Sequence, residues 1–295
     1  MSELPLKIKK AVSRYEPIET HGLVLYPILA DEYDDFLVAR VALEVMHQSL
    51  PVALMRKPLL SAYYQMDYEA MSSGQPIPGL FSCALLGLAL AMRLGEGKDM
   101  AERIECFRIV VDHEKPYNLV SLQFTDNDGN KKTIKPSEYK ELREIIAAQN
   151  GVKIESDTAN PDIVQARKDM NADSANLDFS IDALVSFAAA MSREDESEVY
   201  QWPILKLTRR TEAFQTMLAY LVCGIGEASG ASWKNGNPVP HPIFKKREDG
   251  RGFASPVTQN SENAAFGAEN RYTNAQVDIE AIESQIAHNR FKQTI

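Results

Sequence analysis

Histidine and cysteine are the side chains best suited to hold a metal or carry a nucleophile, and this sequence scatters them. The five histidines, His21, His47, His113, His241 and His288, are dispersed. None lies three or four residues from another His or Cys, the spacing that brings two metal ligands together. His113 and Cys106 could meet through folding, but solvated loop histidines are far commoner than ligands. The three cysteines, Cys83, Cys106 and Cys223, are odd in number and sit in apolar surroundings, the pattern of buried thiols in a reducing compartment. FTDNDGNKKTIK, from Phe124 to Lys135, resembles a calcium loop in composition. With Gly129 at its sixth position, however, the first and twelfth fall on Phe124 and Lys135, and neither can ligate calcium as that geometry requires. Gly224, Gly226 and Gly230 approximate a dinucleotide fingerprint, yet they close a helical pattern where the motif must open one. There is no Gly-x-Ser-x-Gly nucleophile elbow. The acidic runs Asp31-Glu32-Asp34-Asp35 and Glu194 to Glu198 read as solvated helix starts and loops. The sequence therefore predicts no catalytic, cofactor-binding or metal residues, no cofactor and no enzyme.

What remains is binding chemistry. Trp202 and Trp233 flank one long helical pattern, and tryptophan anchors both cores and interfaces. Arg209 and Arg210 lie on or beside the buried flank of that pattern, able to snorkel, to pair with Glu212 or to reach a partner's carboxylates. Ile279, Ile282 and Ile286 form a stripe near the C-terminus. These are the candidate partner-binding residues.

The element that must position most of them spans Tyr200 to Gly230. Ile204, Leu207, Thr211, Phe214, Leu218, Leu221 and Ile225 alternate by three and four residues, which places them on one helical stripe. Met217 and Val222 widen it, and Pro203 suits a first helical turn. The pattern predicts a central core helix over 203–229; a short coiled-coil seam is the other reading. Around it the fold class is α+β, predominantly α-helical. Residues 1–15 read as a flexible arm. Residues 16–103 form an N-terminal helical part with a short edge strand at Leu23 to Leu29, where Pro27 interrupts pairing. Residues 104–155 form a three-stranded antiparallel sheet and a helix capped by Ser137. Residues 156–244 hold the helical core, 245–272 a flexible linker and 273–295 a C-terminal amphipathic helix opened by the Thr273 and Gln276 capping box. That last helix docks on its own body or on another subunit, so a homo-oligomer is one expectation.

At 295 residues, with 44% hydrophobic and 25% charged residues, the composition is that of a soluble globular protein. A net charge of −9 disfavours broad nucleic-acid binding, whose affinity comes from neutralising phosphates. The longest apolar run, Leu80 to Met92, is too short to span a bilayer, and no secretory signal opens the chain. Both point to a cytoplasmic protein with no membrane partner.

Several stretches in fixed order carry a resemblance: GLVLYPILADEYDDF, then FTDNDGNKKTIKPSEYKELREIIAAQNG with TANPDIVQARKDM, then WPILKLTRRTEAFQTMLAYLVCGIGEASG with WKNGNP. Over roughly residues 20–245 the chain resembles uncharacterised proteins of tailed bacteriophages encoded among tail and baseplate genes. The resemblance implies a non-enzymatic tail assembly protein in the host cytoplasm. Its chaperone form would bind tail proteins such as the tape measure; its alternative form would be a structural subunit of the virion tail or baseplate. A phage enzyme or nucleic-acid-associated factor without a recognisable motif is the third expectation.

Overall fold

A computed structural model describes residues 4–154, 180–229, 245–246 and 253–254. The described chain is α+β and predominantly helical, with a three-stranded antiparallel sheet as its main β element. It divides into two compact units, Met1–Arg210 and Thr211–Ile295.

The first unit is built on one helix that is apolar all round. LFSCALLGLALA forms a helix at Leu80–Ala91 (here α4) and buries Phe81, Ala84 and every residue from Leu85 to Ala91. A helix with no polar face must be covered on several sides. α2 (Tyr33–Glu44) supplies one cover, with Phe36, Ala39, Ala42 and Leu43 buried. Its small residues allow close approach: a Cβ on Gly87 of α4 would stand 3.5 Å from the Ala39 Cβ. α3 (Leu59–Ser73), α5 (Met100–Ile104) and α6 (Tyr139–Gln149) also meet α4.

Strands β3 (Arg108–Val111), β4 (Leu119–Thr125) and β5 (Lys131–Ile134) form the expected meander, with Arg108 opposite Gln123 and Leu122 opposite Ile134. Leu119, Leu122 and Phe124 are buried, with a register shift opposite Val110 and Val111 breaking strict alternation, and Phe124 meets Phe107 edge to face at 5.5 Å. α6 covers the core with Tyr139, Leu142, Ile145 and Ile146, as its periodicity predicts. Glu138, rather than Ser137, stands at its N-cap, and its carboxylate accepts the Lys135 N–H at 2.8 Å. At the other end Gly151, with φ of +73°, lets the chain turn; a Cβ there would meet Leu205 Cδ1 at 3.0 Å.

Three differences from the sequence reading have local causes. The expected arm contains a helix, α1 (Leu6–Arg14), because Ile8, Ala11 and Val12 recur at helical spacing and pack on the core. β1 (Ile18–Thr20) pairs with β2 (Leu23–Leu25) through His21 and Gly22, whose φ values of 50° and 69° suit a primed hairpin turn. The acidic run after Arg193 contains a short helix, α8 (Glu196–Tyr200), instead of a plain loop. It follows α7 (Ile181–Ser192), which Ser180 caps by accepting the Ala183 N–H. All three cysteines are half-buried thiols and not fully enclosed.

The second unit contains, among the described residues, the continuation of helix α9 (Ile204–Ala228) beyond Arg210 and a ladder pairing Lys245–Lys246 with Phe253–Ala254. That ladder lies within the span expected to be a linker. The expected C-terminal helix at 273–295 lies outside the described residues.

Candidate protein-interaction surface

α9 begins firmly held. The Ile204 N–H donates to the Ile28 carbonyl and the Ala30 N–H to the Trp202 carbonyl, both at 2.9 Å, around an isolated bridge between Leu29 and Pro203. Pairing with an extended segment leaves the first helical turn aligned and its side chains inside: Ile204, Leu205 and Leu207 are buried. Trp202 is buried too, among Ala30, Val185, Ala188, Val199 and Leu207. The Lys206 ammonium lies 3.8 Å from the centroid of its ring, and burial holds that ammonium below its usual pKa, with Glu194 opposing. Trp202 thus anchors the helix start from within. Arg209 and Arg210 are exposed, and the Arg209 guanidinium sits 5.9 Å from the centroid of the Tyr15 ring. Trp233, Ile279, Ile282 and Ile286 lie outside the described residues.

The expectation of a core helix along all of 203–229 needs correction. Met217 (39%), Leu218 (38%), Leu221 (51%), Val222 (67%) and Ile225 (67%) are solvent-exposed. Periodicity shows that these residues share a stripe; it carries no information on whether anything covers the stripe. From Ala213 to Gly226 no side chain is charged, so the face is apolar and uninterrupted over several turns. Single exposed apolar residues are ordinary on protein surfaces, whereas contiguous apolar faces mark interaction sites. The alternation by three and four that places Leu218, Leu221 and Ile225 in line is also the spacing that fits a second helix.

α2 offers a smaller apolar patch. It buries one face against α4 and exposes Leu37, Val38 and Val41 on the other, beside the Arg40–Glu44 ion pair at 2.6 Å.

The Asp126–Asn130 turn and His21 have structural roles. The Asp126 carboxylate accepts the Asp128 and Asn130 N–H groups and the Asn130 side-chain amide. Desolvation works to raise its pKa, but those bonds and the Lys132 charge hold the carboxyl below its usual range. His21 Nε2 lies 3.0 Å from a Glu141 carboxylate oxygen, tying the β1–β2 turn to α6. Among the described residues no group of three His, Cys, Asp or Glu side chains could hold a metal, and no helix is long and apolar enough to cross a membrane. Compared with protein-family models, curated proteins and solved structures, the chain matches none.

Proposed function

We propose that this chain is a non-enzymatic assembly protein of a phage tail, acting as a chaperone that covers an apolar helical segment of another tail protein such as the tape measure. The observation that carries the reading is the exposed, charge-free stripe of α9 from Met217 to Ile225. A chaperone that keeps an aggregation-prone helix soluble needs an accessible apolar face to lend to it. It must also keep that face from disturbing its own core, and the buried start of α9 separates the two tasks along one helix. The resemblance to proteins of tail and baseplate gene modules supports the choice of client. Host cytoplasm is the site of action in this reading.

The test is mass spectrometry of purified particles and of infected-cell lysate, followed by capture from the lysate. Abundance in lysate, absence from particles and recovery of the tape measure are the expected results. Presence in particles at structural copy number would replace the chaperone with a subunit of the virion tail or baseplate.

A further inference from the structure

α3 starts without a side-chain cap, beside a cleft. Its N-cap residue is Pro58, and no side chain accepts a hydrogen bond from its first turn. The N–H groups of Leu59, Leu60 and Ser61 find no acceptor among the described residues. The positive end of a 15-residue helix is therefore left without a counterpart. Pro58 and Ser61 line a cleft of about 510 Å³, together with Asp112 and Asn118 from the β3–β4 turn and Lys135 and Ser137 from between β5 and α6. Three stretches far apart in sequence meet there, all within the first unit.

The side chains of the cleft are donors that lack an anionic acceptor. Ser61 is only 8% exposed and lines the cleft with what exposure it keeps, and its hydroxyl has no hydrogen-bond partner among the described residues. A hydroxyl that far inside a fold normally has one. Lys57 is held in place: its Nζ donates to Gln65 Oε1 at 2.5 Å and to Asn118 Oδ1 at 3.0 Å, and lies 5.4 Å from the centroid of the Tyr117 ring. Both acceptors are neutral amides, so the ammonium keeps its full charge and a third N–H for another acceptor. Among the described residues neither Lys57 nor Lys135 forms an ion pair. The one carboxylate on the described lining is that of Asp112, whose Oδ1 accepts the Glu114 N–H. Two lysines against one aspartate leave the lining positive.

A tetrahedral dianion accepts hydrogen bonds from several directions at once, which suits ammonium groups, a hydroxyl and helix N–H groups arriving from separate segments. A planar carboxylate is better served by the fork of an arginine, and none is present on the described lining. We infer that the cleft at the start of α3 binds a phosphate group, either free phosphate or the head of a small monoester. Ser61, Lys57, Lys135 and the first N–H groups of α3 are its donors. Pro58, Leu119, Val120 and Pro136 give the cleft an apolar wall for the organic part of an ester. This site is separate from the α9 stripe and stands whether or not that stripe binds a client.

The probes are inorganic phosphate and phenyl phosphate, titrated into the full chain by calorimetry at constant ionic strength, with benzoate as the carboxylate control. Amide NMR shifts locate the binding. The expected result is saturable binding of phosphate, little binding of benzoate, and shifts at Leu59, Leu60 and Ser61. Tighter binding of phenyl phosphate would identify a monoester as the ligand, and equal or weaker binding would identify free phosphate. Ser61→Ala removes a hydroxyl that has no partner to lose, and Lys135→Ala trims an exposed side chain, so the fold survives both. Each should weaken binding about tenfold, the scale of a hydrogen bond to a charged group. Asp112→Asn keeps an acceptor for the Glu114 N–H while removing the opposing charge, and should strengthen binding. Lys131→Ala, at an exposed lysine of β5 outside the cleft, should leave it unchanged. Absence of saturable binding, equal binding of benzoate, or indifference to Ser61→Ala and Lys135→Ala alike would overturn the inference. Equal weakening by Lys131→Ala would reduce the effect to general surface charge and overturn it too.

Discussion

The carboxylate of Asp67 on α3 accepts the backbone N–H of Phe81 on α4 at 3.0 Å, and its second oxygen accepts that of Gly79 at the same distance. The most apolar helix of the fold is therefore capped from another helix. Its own N-cap residue, Gly79, has no side chain to do so, and its φ of 73° places it in the left-handed region that favours glycine. Replacing Asp67 with alanine leaves half-buried N–H groups unpaired and should cost about 0.5–2 kcal/mol, the usual range for losing a cap.

That carboxyl also has a signed pH dependence. Desolvation between the helices raises its pKa above the ordinary 3.8, and the N–H groups of Phe81, Gly79 and Leu80 only partly offset this. With the folded pKa above the unfolded one, the native state holds the proton longer, so this group's contribution is present below 3.8 and declines as pH rises through the raised value. Urea midpoints measured from pH 3 upward should show the advantage of wild type over Asp67→Asn shrinking with rising pH. A growing advantage would reverse the assignment.

Such relationships mark the limit of what the sequence made legible. α4 announced itself as an unbroken apolar run, and the β3–β5 meander and α6 through apolar residues recurring at strand or helical spacing within one segment. Asp67 capping α4 did not, since the two residues meet only after α3 and α4 pack. Arg143 is similar: it lies on the buried side of α6, and its guanidinium donates to the Leu43 and Val45 carbonyls at the end of α2. Its charge faces the negative end of that helix, a natural place for a cation. Nothing near Arg143 in sequence predicts this. The candidate site divides the same way. The stripe on α9 was visible as a period, but its change from buried to exposed depends on which neighbours reach it.

Arg103 provides a test of a buried charge. It is 4% exposed, donates to a Glu32 carboxylate oxygen at 2.8 Å and lies 3.9 Å from an Asp35 oxygen, while its Nη1 is buried without a hydrogen-bond partner. Glu32→Ala removes the closer carboxylate but leaves Asp35 at 3.9 Å, so it should destabilise the protein by roughly 1.5–3 kcal/mol, the scale of a hydrogen bond to a charged group. The double replacement Arg103→Met with Glu32→Leu removes both charges and should cost less than Glu32→Ala alone. A denaturation double-mutant cycle measures the difference, and additive costs would show the pair to be uncoupled.

At the α7–α8 junction the Tyr200 hydroxyl donates to an Asp182 carboxylate oxygen at 2.6 Å. That hydrogen bond, with burial and the neighbouring acidic charges, pushes the phenol up to about 12. Because the folded pKa is raised above the ordinary 10.0, the contribution is complete below pH 10 and disappears as pH rises through about 12. Ultraviolet titration of wild type against Asp182→Asn should show one tyrosine titrating earlier in the variant. Coincident curves would mean the bond does not persist in solution.

The exposed half of α9 yields the prediction on which the function turns. Leu221→Glu and Ile225→Glu place a charge where the side chain is already 51% and 67% exposed. Neither creates a cavity or buries an unpaired ion, so stability should change by no more than about 0.5 kcal/mol, as for ordinary surface substitutions. Leu207→Glu is the opposite case, since that residue lies two heptads before Leu221, at the buried start of the same stripe, and is 1% exposed. It should unfold or severely destabilise the protein through the buried charge. If the exposed face binds a client helix, the two distal variants should remain folded by circular dichroism and lose capture of the tape measure from infected-cell lysate. Loss of folding in Leu221→Glu would mean that the stripe is covered within the chain, and retention of capture in both variants would move client binding elsewhere on the surface.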